Sequence, residues 1–200
     1  MSSTKRYQLL RRELFKAKRA FLPATFDPLG NYSELQSDRA RGFLLVAHAE
    51  IESFIEDRVR DTAQPSVDLW RSKQKTTRAL ASLLTYIFLE EGEPRWKNLD
   101  HRIHYAHNKF NISVRDNNGV KSDNLKRLLM PVGQDIDVLD PLFLTEIDSF
   151  GESRGSAAHS SNWQSTGRTV FDPKLECERV FDKLLPHLKS LDEALRNLAK

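Results

Sequence analysis

Cysteine is nearly absent: the 200 residues hold one, Cys177. A single thiol cannot close a disulfide within the chain or build a thiolate-rich metal centre, which excludes small disulfide scaffolds and zinc ribbons. It fits a reducing cytoplasm. Glycine and proline are scarce too, at 8 each, and a sandwich of short strands needs more tight turns than that. No long hydrophobic run is present. The most apolar stretches, residues 43–47 and 83–89, are far too short to cross a bilayer. Ser2-Ser3-Thr4-Lys5-Arg6 after Met1 forms no apolar h-region, so no signal peptide is expected. Neither sign of charge dominates. A net charge of +3 permits a nucleic-acid partner without requiring one.

Apolar residues at helical spacing fill the chain. The length suffices for a core without covalent staples and reads as one domain over residues 1–200. A first helix is expected over residues 4–21, where Tyr7, Leu10, Leu14 and Phe21 make one stripe. Pro23 and the turn at 27–31 end it. A second helix is expected over 33–62, with Phe43, Val46, Ala47, Phe54, Ile55 and Val59 on its core face. Pro65 is expected to break the chain, with Ser66 capping a third helix that carries Leu69, Leu80, Leu83, Leu84, Ile87 and Phe88. That helix should stop at Gly92-Glu93-Pro94, and residues 97–110 should form a shorter one. Asp116-Asn117-Asn118-Gly119 is a turn; Ile112 and Val114 alternate with polar neighbours, which leaves a hairpin tip open there. Ser122 should cap a short helix that ends at Met130-Pro131. Asp140-Pro141 and Asp172-Pro173 each read as an N-cap followed by proline at the first helical position. The last helix buries Leu175, Val180, Leu184, Leu188, Leu191, Leu195 and Leu198, with a kink expected at Pro186. The expected fold is all-α: an up-and-down helical bundle of about four long helices with short helices inserted.

The charge is unevenly spread. Residues 1–20 carry Lys5, Arg6, Arg11, Arg12, Lys16, Lys18 and Arg19 against Glu13 alone. Such a face steers a phosphate backbone, or is simply a solvated surface. Phe143, Ile147, Phe150 and Arg154 fall on one helical stripe, so Arg154 stands where a core residue is expected. A buried guanidinium needs an anion, either a carboxylate of the protein or a phosphate of a ligand. Gly151, Gly155 and Ala158 lie at i, i+4 and i+7. Glycine costs about 1 kcal/mol in a helix interior relative to alanine, so a compensating close approach, such as packing on a second copy of the chain, or a helix break at Gly155 is expected.

Arg154-Gly155-Ser156-Ala157-Ala158-His159 resembles the R-x4-6-H motif of the HEPN superfamily. The run from Arg39 to Glu52 resembles the second-helix signature of its RiboL-PSP-HEPN branch, the run from Val120 to Gly133 its middle segment, and the run from Ile147 to Ser161 its motif helix. Three blocks in order span residues 39–161. The resemblance implies a HEPN-like helical fold, a homodimer in which two motifs share one cleft, and metal-independent cleavage of RNA with no cofactor. Arg154 would hold the scissile phosphate and His159 would transfer the proton. The 2′-hydroxyl would attack, leaving 2′,3′-cyclic phosphate and 5′-OH ends. Ser156 and Trp163 would be candidate RNA contacts. Relatives act as toxins or in anti-phage defence, some held inactive by an antitoxin or regulatory partner. Many active relatives carry a polar residue directly after the arginine, where this chain has Gly155.

Other readings stay open beside this one. The chain may be read as a non-catalytic helical module that binds RNA or a partner protein, or as a dimerisation domain without a ligand. His48 and Glu52 lie at i and i+4; they would tune His159, hold Arg154, or form a satisfied structural pair. His101, His104 and His107 form H-x2-H-x2-H, but the outer two are about 120° apart on a helix, which makes a poor three-histidine metal site, and no metal is expected. Trp70 and Trp96 read as packing residues; Trp163, in a polar loop over 160–169, is the better candidate for stacking on a base.

Overall fold

The computed structural model describes residues 3–91, 98–159 and 170–198, with side chains over 3–86, 98–157 and 170–198. Within these the chain is all-α and contains no strand. The helices are α1 (Lys5–Phe21), α2 (Glu34–Lys73), α3 (Arg78–Glu91), α4 (Leu99–Arg115), α5 (Ser122–Leu129), α6 (Pro141–His159), α7 (Pro173–Glu178) and α8 (Leu185–Leu198). None of the described helices is long and apolar enough to cross a membrane.

Several ends follow local side-chain chemistry. Thr4 caps α1 by accepting from the Tyr7 N–H at 3.2 Å. Asp140 accepts from Leu142 N–H at 2.8 Å, and Asp172 from Lys174 and Leu175 N–H at 2.7 and 3.1 Å, as the two Asp-Pro pairs predict.

Pro65 does not break the chain. It sits inside the 40 residues of α2. The lost bond would have gone to the carbonyl of Asp61, and both residues are exposed, so water reaches that carbonyl. On the buried side Thr62 Oγ1 donates to Arg58 O at 2.8 Å and Ser66 Oγ donates to Thr62 O at 2.9 Å, bracketing the gap with side-chain bonds. The break comes instead at Gln74, whose φ of 53° is left-handed. Its N–H closes α2 on Trp70 O at 2.8 Å, and Thr77 Oγ1 then caps α3 through Leu80 N–H at 3.1 Å. The hairpin reading at Ile112 and Val114 is also corrected. Both lie in α4, with Val114 buried and Ile112 exposed. The apparent alternation comes from the edge of a helical stripe. Ahead of Pro186, Arg179–Leu184 is a π-helical turn, with Leu185 N–H reaching Val180 O.

Packing resolves the chain into two compact units. Neither is continuous in sequence, so no shift in composition marks them. The first comprises Met1–Phe54, Gly119–Lys121 and Asp140–Lys189. Its core joins Leu10 and Leu14 of α1, Phe43, Leu44 and Ile51 of α2, Phe143, Ile147 and Phe150 of α6, and Val180 and Leu184. Gly42 lets the Phe21 ring lie on α2; a Cβ there would fall 2.9 Å from it. The second comprises Ile55–Asn118, Ser122–Leu139 and Ser190–Lys200. Its core holds Val59, Val67, Leu80, Leu83, Ile103, Phe110, Leu125, Leu129 and Leu195.

That second core also encloses an ion pair. Arg58 Nε donates to Asp192 Oδ1 at 2.6 Å and Arg58 Nη2 to Asp192 O at 3.3 Å, with Asp192 fully buried. Removing one partner strands a buried charge and costs far more than the pair contributes. Asp192→Ala should lower stability by about 3–5 kcal/mol, whereas Arg58→Met with Asp192→Leu should recover most of that loss. Urea midpoints of the three proteins check this.

Candidate functional site

Arg154 lies one turn beyond Phe150 on α6. Helical spacing puts its Cα on the buried stripe between Phe150 and Ala157, which are 0% and 5% exposed, yet Arg154 itself is exposed. This corrects the expectation of a buried guanidinium. The long stem starts from the apolar face and carries the charge to solvent. Among the described residues no carboxylate pairs with Arg154. Other arginines of the same unit differ: Arg179 reaches Glu146 at 3.2 Å and Glu176 at 3.3 Å and donates to Ser153 Oγ at 3.0 Å.

His48 and Glu52 of α2 belong to this neighbourhood. The His48 ring stacks on Phe150, with centroids 5.6 Å apart and planes at 23°. It is 2% exposed. Burial pushes its pKa below the ordinary 6.5; the Glu52 carboxylate works against that, and the positive charge of Arg154 adds to it. His48 is therefore a neutral imidazole at neutral pH. Its Nδ1 lies 3.6 Å from Glu52 Oε2, an electrostatic contact too long for a hydrogen bond. Glu52 spends its other oxygen elsewhere: Oε1 accepts the backbone N–H of Gly119.

That bond ties in a short segment the sequence did not mark as part of a site. Gly119 has φ 122°, open to glycine and strained for other residues. Two residues on, Lys121 pairs with Glu152 of α6 at 3.3 Å, and its stem lies on Gly151, where a Cβ would fall 2.7 Å from Lys121 Cγ. Gly151 thus has its compensating contact inside the chain. At Gly155 an added Cβ would meet none of the described residues within 4 Å, and α6 runs through it without a break to His159. The only forewarning was that Gly119 and Lys121 flank the start of the run from Val120 to Gly133.

His159 is the last residue of α6; its side chain lies outside those described. Five residues of continuous helix turn about 140°, so positions 154 and 159 fall on different faces. Ser156 is exposed and donates to Glu152 O at 3.3 Å. Trp163 and the loop over 160–169 lie outside the described residues. Cys177 is buried, and burial raises its thiol pKa. Among the described residues no group of three or more His, Cys, Asp or Glu is placed to hold a metal ion.

No protein-family model, curated protein or solved structure matches this chain. What the site can do rests on its own residues: an exposed guanidinium without a carboxylate among the described residues, beside a buried imidazole that faces the Glu52 carboxylate at 3.6 Å.

The shift of His48 has a consequence for stability. Its folded pKa lies below its unfolded one, so the unfolded chain takes up the proton first. Stability from this group is fully present above the unfolded value and is lost as pH falls through 6.5 towards the folded pKa. His107, also shifted down by burial and then by Arg71, acts in the same sense. The urea midpoint should fall from about pH 8 to about pH 5. His48→Gln should flatten that slope, and His48→Gln with His107→Gln should flatten it further.

Proposed function

We propose that this chain is a HEPN-type endoribonuclease that cleaves RNA by attack of the substrate's own 2′-hydroxyl, without a metal ion. The observation that carries the reading is the exposed Arg154 guanidinium, free of any carboxylate among the described residues. A bidentate cation with no protein anion is suited to a phosphate, whose oxygens match its fork. His159 takes the 2′-OH proton as O2′ bonds to phosphorus. The P–O5′ bond breaks, and the leaving oxygen gains a proton to give a 5′-OH and a 2′,3′-cyclic phosphate. DNA has no such nucleophile and survives. His48, neutral and stacked on Phe150, positions the helix face that carries Arg154 and keeps a second positive charge away from it. A setting in toxin–antitoxin or anti-phage defence systems, with a cytoplasmic location and a regulatory protein partner, belongs to the same reading.

The 140° between positions 154 and 159 on a continuous helix bears on assembly. One α6 does not turn both residues to one phosphate, so the reading requires a homodimer in which His159 comes from the second copy. Gly155, with open space around it, is where two α6 helices would approach. The same helical continuity also favours a second reading, a non-catalytic module in which Arg154 binds RNA and nothing is cut.

Wild type incubated with mixed RNA in excess chelator should yield fragments ending in 2′,3′-cyclic phosphate, and His159→Ala none. Folded, dimeric wild type that leaves RNA intact while Arg154→Ala weakens RNA binding would replace the nuclease with the binding module. Gly155→Leu gives an independent check. Within one chain it fits and should add about 1 kcal/mol of helix propensity. In the dimer it should block the approach of the second copy. Light scattering should show dimeric wild type and monomeric, stable Gly155→Leu; a dimer unaffected by leucine would place the interface elsewhere.

A further inference from the structure

The second unit contains a cleft of about 380 Å³ lined by Trp70, Arg71, Gln74, Asp100, His101 and His104. A volume in this range suits a ligand of nucleotide size. The Trp70 indole is only partly buried; it packs against Val67, Leu80 and Ile103 and leaves part of its surface to the cleft. Its Nε1 donates to Asp100 Oδ1 at 3.0 Å, which fixes the ring plane. Next to it Arg71 is exposed. Its Nη2 lies 3.4 Å from Nδ1 of His104, and its charge also acts on His107. On the other side of the ring, the Asn108 amide Nδ2 lies 3.0 Å from His104 Nε2. The His104 ring thus lies between Arg71 and Asn108, and among the described residues no carboxylate pairs with Arg71.

The wall of the cleft is strained. Gln74, a non-glycine residue, adopts a left-handed backbone conformation at the end of α2. Its backbone N–H and its side-chain amide both donate to Trp70 O, at 2.8 and 3.1 Å. This double bond to one carbonyl locks the residue that carries the indole. Strain of this kind persists where the surroundings hold it, and it accompanies binding sites more often than plain connectors.

We propose that this cleft binds one nucleotide of single-stranded RNA, with the base against the Trp70 indole and the adjoining phosphate on Arg71. An aromatic surface beside an unpaired arginine is the pairing by which proteins hold single strands. Asp100, with one oxygen engaged by the indole, keeps the other to accept an amino or imino N–H of the base. The class of ligand follows the proposed RNA function, but binding here involves no cleavage and does not depend on Arg154.

The test uses full-length protein carrying His159→Ala, so that the probe stays intact. A short fluorescein-labelled single-stranded RNA of mixed sequence is titrated at several salt concentrations, with Arg71→Gln, Trp70→Phe and Arg154→Ala in the same background. Arg71→Gln should weaken binding about tenfold and lower the slope of log affinity against log salt by about 0.7, the value for one phosphate contact on a single strand. The Trp70 indole N–H signal, assigned by its loss in Trp70→Phe, should shift on titration. A folded Arg71→Gln protein with unchanged affinity and salt slope would overturn the proposal. So would a Trp70 signal that saturates with a nucleoside monophosphate as tightly as with the strand, which would leave a free-nucleotide site. Cleavage by wild type is scored separately: cutting that persists in Arg71→Gln with unchanged binding removes the cleft and keeps the nuclease, and loss of cutting with cleft binding intact does the reverse.

Discussion

Pro65 takes one backbone N–H out of α2 and crowds the carbonyl of Asp61, and yet the helix runs from Glu34 to Lys73. Much of the structure depends on that accommodation. His48, Glu52 and Arg58 sit before the proline on this helix, and Trp70 and Arg71 after it. Had the chain turned at Pro65, Trp70 and Arg71 would lie on another element, and Ser66 would have lost its bond to Thr62 O. The accommodation works because the missing bond faces water while the buried side is braced by two hydroxyls.

Arginine chemistry separates structure from candidate function in this protein. Arg58 is 5% exposed and bound to a fully buried Asp192; Arg179 is shared among two carboxylates and a hydroxyl. Their charges are spent within the fold. Arg154 and Arg71 are exposed and lack a carboxylate among the described residues, and each stands near a histidine: His48, whose pKa burial lowers, and His104. An imidazole is a useful neighbour for a cation kept for a ligand. It orients without neutralising, so the guanidinium keeps its full charge for an incoming phosphate.

Much of the fold was legible in the sequence. Leu10 and Leu14 set α1, Asp140-Pro141 and Asp172-Pro173 set the starts of α6 and α7, and the stripe of Phe143, Ile147 and Phe150 is buried as its spacing implies. These are local effects, fixed by caps and by a 3.6-residue period. Misread were the places where a local signal met a tertiary one. Pro65 is a strong breaker in isolation. Gln74 carries no breaker signal, and neither glycine nor proline stands between Lys73 and Arg78. Ile112 and Val114 resemble a strand only when the helix before them is ignored.

At the candidate site the sequence by itself determined which residues share a helix and at what spacing: His48 with Glu52 on α2, and Arg154 five residues before His159 on α6. It also determined that Arg154 begins on the apolar face. Only the tertiary structure decided that its guanidinium reaches solvent and that Gly151 is filled by the Lys121 stem. It alone decided that Glu52 is anchored by Gly119 and that Trp70 and Arg71 share a cleft with Asp100 and His104. The physical reason is range. Periodicity and capping act within a few residues, whereas burial and ion pairing depend on groups far apart in the chain, such as Arg58 and Asp192, 134 positions apart, or Glu52 and Gly119, 67 apart.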